Sequence, residues 1–498
     1  MPRLARALVL PVALTAISLS CNSAINASGL VPQFVESLVP PANPPHVAPI
    51  RGGTNGGWGL ALSGGGIRSA TFSIGVMKAL YDLGYLDSVD VVSSVSGGGF
   101  ASYWLFRKEL GAIQNRFGDA VFSNATFDKS VCELQAMGNF QSFGQMIASG
   151  LSSDSFEKYR WAIRRSFGFD GGISDPEPPL NALMPHIERG TMPLFILNAT
   201  IDAPNRGKFP NVIEVTPAFI GSPSIGYHSW TTADTLPGWS ESIAVSGAAI
   251  PTLKHHLRAY TGRSPDSLRL WDGGESENLG ALSLIRRRIR NIVIVDGEHD
   301  PDYNFAGYFM LKKLLPAEGF DISIPSIDEF IGQRGGARAR FDAHAVSVGI
   351  AYSSAANGTP SDTSRIFYVK LARPKSIEAL LDTASDAYRR GAQYQTRINT
   401  LTSSAGTGSD PLQRCAPLAG HDDGFHMETA IYNVTNFAQL MDRIQSEDRA
   451  ARNPTMLRFA FPQTSSIDQS YFADQLKAFI GLGYLEGMQL HGKGLDRN

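Results

Sequence analysis

Cysteine is nearly absent from this chain. Cys21, Cys132 and Cys415 are the whole complement in 498 residues, and none has the spacing of a metal ligand set. Cys132 and Cys415 either pair in an oxidising compartment or remain two separate buried thiols. An excess of one charge is lacking too. Lys and Arg number 44 against 46 Asp and Glu, a net charge of −2, which excludes a nucleic-acid binder held by a basic surface. There is no internal repeat and no G-K-[ST] of a P-loop. A long apolar run is missing from the N-terminus: Ala7–Leu19, behind Arg3 and Arg6, is thirteen residues, too short to span a bilayer.

That run and its small-residue end, Ser18-Leu19-Ser20, have the form of a signal peptide over residues 1–20. Cys21 follows, so the exported protein is expected in a bacterial cell envelope, periplasmic or lipid-anchored at Cys21, or else secreted. Ser18 and Leu19 depart from the residues usual before a lipidated Cys. Residues 21–55, with Pro40-Pro41 and Pro44-Pro45, read as a Pro-rich tether.

Glycine, by contrast, is abundant at 50 residues, and its placement carries the argument. Leu60–Leu62 is a short apolar run that ends at Ser63-Gly64-Gly65-Gly66. Phe72, Val76, Ala79, Leu80 and Leu83 then recur on one face of a helix, with Gly84 placed to end it. Bare backbone N–H groups between a strand and the positive end of a helix attract an anion. A second turn repeats the design. Val89, Val91 and Val92 lead into Ser94-Val95-Ser96-Gly97-Gly98, so Ser96 sits at a strand-to-helix corner with Gly98 two residues on. This is a G-x-S-x-G nucleophile elbow with Ser94 in place of the first Gly. Farther along, Asp272-Gly273-Gly274 follows the apolar pair Leu270-Trp271, where a tight bend lets a carboxylate project from the end of a strand.

The segments SGGGIRSATFSIGVMKAL (63–80) and SSVSGGGF (93–100), with the Asp-Gly-Gly at 272–274, resemble the patatin-like phospholipases, including the catalytic domains of the cytosolic phospholipases A. The resemblance implies an α/β fold, a patatin-like three-layer α/β/α sandwich with a central, mostly parallel sheet. It also implies a catalytic core over 56–300 and a C-terminal extension, 301–498, packed on it. Residues 140–190 are expected to be an insertion, either a lid over the acyl channel or surface packing. Ser96 becomes the nucleophile, Asp272 its general base, and the N–H groups of Gly64, Gly65 and Gly66 the oxyanion hole. Arg68 either pairs with a lipid phosphate or steadies the Gly-rich loop. The substrate is a phospholipid or another lipid ester at a membrane surface, and no cofactor or metal ion is called for.

Other readings stay open at this level. Asp296, at the end of the apolar run Asn291–Val295, rivals Asp272. His299, His421 or His426 would complete a Ser-Asp-His esterase. Gly64-x-Gly66 with Asp87 about twenty residues on is a weak echo of a dinucleotide fingerprint, with Ser69 where its third Gly belongs. A lipid-binding envelope protein that has lost turnover is the remaining alternative. Ser246–Pro251 and Pro193–Thr200 read as scaffold. Ala281–Arg290 reads as a helix with its arginines turned outward, toward solvent or anionic headgroups.

Overall fold

The computed structural model describes residues 57–110, 116–137, 155–168, 177–202, 211–231, 234, 236–249, 253, 255–261, 264–332, 346–354, 360–404, 412–420, 425–450, 461–463, 471–493 and 495. All belong to one unit, Pro41–Asn498. Residues 1–20 and 21–55, read above as a signal peptide and a tether, lie outside these residues, as do Cys21 and His421.

Among the described residues, twelve strands form a single sheet. In chain order they are β1 (Trp58–Leu62), β2 (Val89–Val95), β3 (Leu194–Ile201), β4 (Val212–Val215), β5 (Phe219–Ser222) and β6 (Gly226–Ser229). They continue as β7 (His255–Thr261), β8 (Ser264–Trp271), β9 (Asn291–Asp296), β10 (Phe320–Ser323), β11 (Val346–Ser354) and β12 (Pro360–Lys370). Along the path β10-β11-β12-β9-β1-β2-β3-β4-β5-β6, the central strands β12, β9, β1, β2 and β3 run parallel. The margins are antiparallel. Aliphatic and β-branched composition explains the middle: every residue of β3 is buried, as strands covered on both faces require. Helices flank the sheet. Helix α1 (Gly66–Asp82) connects β1 to β2, and α2 (Gly97–Leu110) starts directly behind β2.

Helix α1 is more enclosed than its apolar stripe predicts. All of Ile67–Leu80 is buried, because the C-terminal helix Ala473–Met488 covers the second face. A Cβ on Gly75 would overlap the carbonyl of Ile480, and one on Gly483 the carbonyl of Phe72. The two backbones therefore touch where neither carries a side chain. At the far end Gly84, at φ +77°, takes the left-handed conformation that ends the helix.

Residues 301–498 do more than pack on a finished core. β12 pairs in parallel register with β9, from Arg365↔Asn291 to Lys370↔Asp296. Without it, β9 would present an unpaired edge. In the 140–190 segment, 138–154 and 169–176 lie outside the described residues. The described helix Ser155–Phe167 packs inward: Phe167 meets Phe100 with ring centroids 5.3 Å apart, and Tyr159 donates to the Gly247 carbonyl at 2.8 Å.

The arginine run differs from its expected form. The helix is only Leu282–Arg286. Arg286 is buried and ion-paired with Glu318 at 2.5 Å and Glu214 at 3.3 Å, while Arg287 pairs with Glu214 at 2.5 Å. Glu214, at 0 % exposure, is a buried carboxylate that had to be neutralised, and it draws both guanidiniums in.

Cys132 and Cys415, 283 residues apart, form a disulfide. It ties the helix Phe127–Met137 to the short 3-10 segment Gln413–Leu418. Closing so long a loop restricts the unfolded chain, so a Cys132→Ser/Cys415→Ser protein is expected to lose about 2–5 kcal/mol of stability. Denaturant titration of the oxidised and double-variant proteins measures this, and equal midpoints would refute it.

Candidate active site

The carboxyl ends of β9, β1 and β2 lie side by side, and the turns that leave them form the floor of the site, where ligands of parallel sheets bind. After β2 the chain turns sharply at Ser96, whose φ of 48° is a left-handed value rare for a residue with a side chain. That strained corner pushes the hydroxyl out of the sheet at the start of α2. Small neighbours make it feasible. A Cβ on Gly97 would fall on the backbone of Gly66, and one on Gly98 on the carbonyl of Leu62. The Gly98 N–H donates to the Ser63 carbonyl at 2.9 Å, locking the two Gly-rich turns together.

Asp272 arrives from another direction. β8 runs antiparallel to the end of β3, with Thr200↔Trp271 as the last pair, and Asp272 follows at once. Gly273 then presses against Asn198 and Val95, a space that a side chain would fill. The result is a direct contact: Ser96 Oγ donates to Asp272 Oδ2 at 3.1 Å, and the Gly274 N–H donates to Oδ1 at 2.7 Å. Ser96 is 8 % exposed and Asp272 7 %, so both sit in a recess yet keep contact with solvent. Burial raises the Asp272 pKa to about 7, against the opposing pull of its Gly274 and Ser96 hydrogen bonds. A carboxylate that is half protonated near neutrality, within reach of a hydroxyl, has the properties of a general base.

The oxyanion reading needs one correction. The N–H of Gly64 is already used, donating to the Asn278 carbonyl at 2.9 Å. Gly65 and Gly66, at the N-terminus of α1, have amides with no partner among the described residues, and so does Gly97, the residue after Ser96. The amides left available to an anion among the described residues are therefore those of Gly65, Gly66 and Gly97.

Arg68 is also placed otherwise than a headgroup contact requires. Its side chain is fully buried, and its Nε donates to the Gly297 carbonyl at 3.0 Å. Burial lowers its pKa, while Tyr471, Asp296 and Glu298 oppose that shift. The guanidinium lies against the Gly-rich turn, where a Cβ on Gly65 would sit 3.1 Å from its Nη2. Asp296 stays away from Ser96: it is held by Lys370 at 2.8 Å and by the Tyr368 hydroxyl. Asp87 pairs with Arg116 at 3.1 Å. Neither Ser96 nor Asp272 has a histidine partner among the described residues, and His426 lies in the field of Asp128 instead. No group of His, Cys, Asp and Glu among the described residues is arranged to hold a metal ion. No helix among them is long and apolar enough to cross a membrane.

Two residues read as scaffold turn out to hold the elbow. The Ser96 N–H donates to Ser246 Oγ at 2.9 Å, and Ser246 Oγ donates to the Asn198 carbonyl at 2.6 Å. The Asn198 side chain donates to Ser93 Oγ at 2.9 Å and to the Ser94 carbonyl at 3.0 Å. No spacing in the sequence links position 96 to 198 and 246. A polar Asn inside the otherwise apolar run Leu194–Ala199 was the available signal.

A serine on a strained strand-to-helix corner thus faces a buried carboxylate beside helix-terminal amides that have no partner among the described residues. Residues 60–285 match the family model of the patatin-like phospholipases, a patatin-like phospholipase domain within the chain. No curated protein matches the sequence. Among solved structures, human GIVD cytosolic phospholipase A2 aligns at 12 % identity over 88 % of this chain and 59 % of its own, with a TM-score of 0.52. The same human enzyme in complex with methyl gamma-linolenyl fluorophosphonate aligns at 13 % identity over 88 % of this chain and 58 % of its own, with a TM-score of 0.47. The first of these shows a shared fold, and this chain spans about three-fifths of that enzyme's length.

Proposed function

We propose that the protein hydrolyses lipid esters, phospholipids foremost, through a Ser96–Asp272 dyad with no histidine. The observation that carries the reading is the 3.1 Å hydrogen bond from Ser96 Oγ to Asp272 Oδ2 beside unpartnered amides. Ser96 Oγ attacks the ester carbonyl as Asp272 takes its proton. The tetrahedral oxyanion is received by the N–H groups of Gly65, Gly66 and Gly97, and its collapse expels the alcohol, which regains the proton from Asp272. Asp272 then removes a proton from water, which attacks the acyl-enzyme; collapse breaks the acyl–Oγ bond, Asp272 returns the proton to Ser96 Oγ, and the fatty acid is released. The pKa of about 7 suits both halves, since one carboxyl must accept and return a proton near neutral pH.

The substrate is met at a membrane surface, because lipid esters reside there. Export to the cell envelope or beyond is part of the same proposal. The leader-like residues 1–20 support it, as does the Cys132–Cys415 disulfide, a bond that persists in oxidising compartments.

Mass spectrometry of a mixed-lipid incubation tests the reading, with fluorophosphonate labelling alongside. Release of fatty acid and labelling at Ser96 are expected. A purified, folded protein that neither labels nor releases product would instead be a silent lipid-binding relative. Replacing Gly97 by Ala should lower kcat/KM by about 10²–10³-fold, the cost of losing one oxyanion donor, because the new methyl would displace the Gly66 backbone. Steady-state kinetics with a short-chain ester reads this out, and unchanged kinetics would remove Gly97 from the site.

A further inference from the structure

Two glycines on different turns share one neighbour. A Cβ on Gly64 would collide with Asn278 Oδ1, and a Cβ on Gly274 would lie 2.6 Å from the same oxygen and 3.0 Å from Asp272 Oδ1. The Asn278 side chain thus occupies the room left empty on both the Gly-rich turn and the Asp272 turn. Its main chain joins them as well, since its carbonyl accepts the Gly64 N–H at 2.9 Å. The amide plane is held in turn: Nδ2 donates to Glu298 Oε2 at 3.1 Å. Glu298 is itself fixed by the Gly307 N–H at 3.0 Å and lies 3.5 Å from the buried Lys370 ammonium.

We propose that Asn278, oriented by Glu298, is a positioning residue that sets the separation between the oxyanion donors and the Asp272 base. This inference rests on the catalytic reading above and deepens it. The Gly-rich turn leaves β1 and the Asp272 turn leaves β8, strands that do not pair with each other. They are linked in the sheet only through β2 and β3, with no direct ladder between the two turns, and the Asn278 side chain wedged between them makes the direct contact. Acyl transfer is sensitive to the separation of the turns, because the donors must meet an oxygen displaced by about the length of a forming bond while the base stays on Ser96.

A double-mutant cycle tests the wedge. Asn278→Ala should lower kcat by about 10–100-fold, the cost of misplacing reacting groups by an ångström or less, with KM unchanged within about twofold. Gly64→Ala should cost at least as much. Its φ is not in the left-handed region, so its penalty comes from the collision with Asn278 rather than from the backbone. The Gly64→Ala/Asn278→Ala protein should then be no slower than Gly64→Ala alone, since the collision is gone. If Asn278→Ala does not fold, Asn278→Ser clears the same space and enters the same cycle. The idea is overturned if Asn278→Ala keeps kcat within about twofold, if KM rises in place of the kcat loss, or if the two losses multiply. Ser96→Ala run in parallel separates the two levels. A Ser96→Ala protein as fast as wild type defeats the catalytic reading, whereas a dead Ser96→Ala beside an unaffected Asn278→Ala defeats only the wedge.

Discussion

Ser96→Ala is expected to lower kcat/KM for a lipid ester by about 10⁴–10⁶-fold, the range seen when a nucleophile is removed from a site that works as a unit. The loss should leave the fold alone. The hydroxyl's recorded bond is to Asp272, while the corner itself is held by the Ser96 main-chain N–H on Ser246 and by packing of the glycines behind it. The variant should therefore melt at or near the wild-type temperature and fail to take up a fluorophosphonate. Residual hydrolysis within tenfold of wild type would mean that another group attacks the ester. The described surroundings offer no histidine to take over, which makes the experiment decisive for a two-residue mechanism.

Asp272→Asn carries the second large effect, and its sign differs between activity and stability. Without a base, kcat/KM is expected to fall by about 10²–10⁴-fold. In the wild type, kcat/KM should rise about tenfold per pH unit below 7 and level off above it, following loss of the proton from a carboxyl whose pKa is about 7. Stability runs the other way. The folded pKa lies above the 3.8 of the free side chain, so the native state binds this proton more tightly than the unfolded chain. The resulting stabilisation is complete below pH 3.8 and is lost as pH rises through 7. Asn cannot ionise, and its amide can donate to Ser96 while its oxygen accepts from Gly274. The variant should therefore be the more stable protein above pH 7, by up to about 4 kcal/mol, and the gap should close toward pH 4. Thermal melts of both proteins at pH 5 and pH 8 measure it. An equal difference at both values would show that burial of the Asp272 charge is not what costs stability.

How far the site was legible depended on how local each feature is. The two Gly-rich turns are local. Strand, small residues and helix follow one another within a dozen positions, and chain geometry alone makes such a corner present a side chain and bare amides. The Asp-Gly-Gly bend is local too. Which of its amides stay unbonded is not: Gly64 looks no different from Gly65 in the sequence, yet its N–H is taken by a carbonyl more than two hundred residues away. Arg68 likewise sits two residues past the Gly-rich turn, where either a lipid phosphate or the loop itself could have claimed it. It is buried because the C-terminal helix and the segment after β9 close over that side of α1, and neither can be seen from position 68. Ser246 and Asn198 were missed for the same reason, since a hydroxyl that holds the elbow amide has no periodicity to mark it.

While the parallel centre of the sheet came from the family resemblance, the amino-acid order by itself determined the strand-turn-helix units around the two Gly-rich turns and the candidates Ser96 and Asp272 at bends that follow apolar runs. These follow from patterning and from where glycine permits a bend, forces that act over a few residues. Tertiary structure alone decided that the serine and the carboxylate, 176 positions apart, meet at 3.1 Å. It also decided that Asp296 is held by a lysine, that Cys132 finds Cys415, and that the C-terminal strands finish the sheet. Those outcomes depend on which buried groups can be satisfied together once the chain has closed on itself. A carboxylate takes a cation or a hydroxyl according to what the packed core leaves within reach, and that choice is not written in any single stretch.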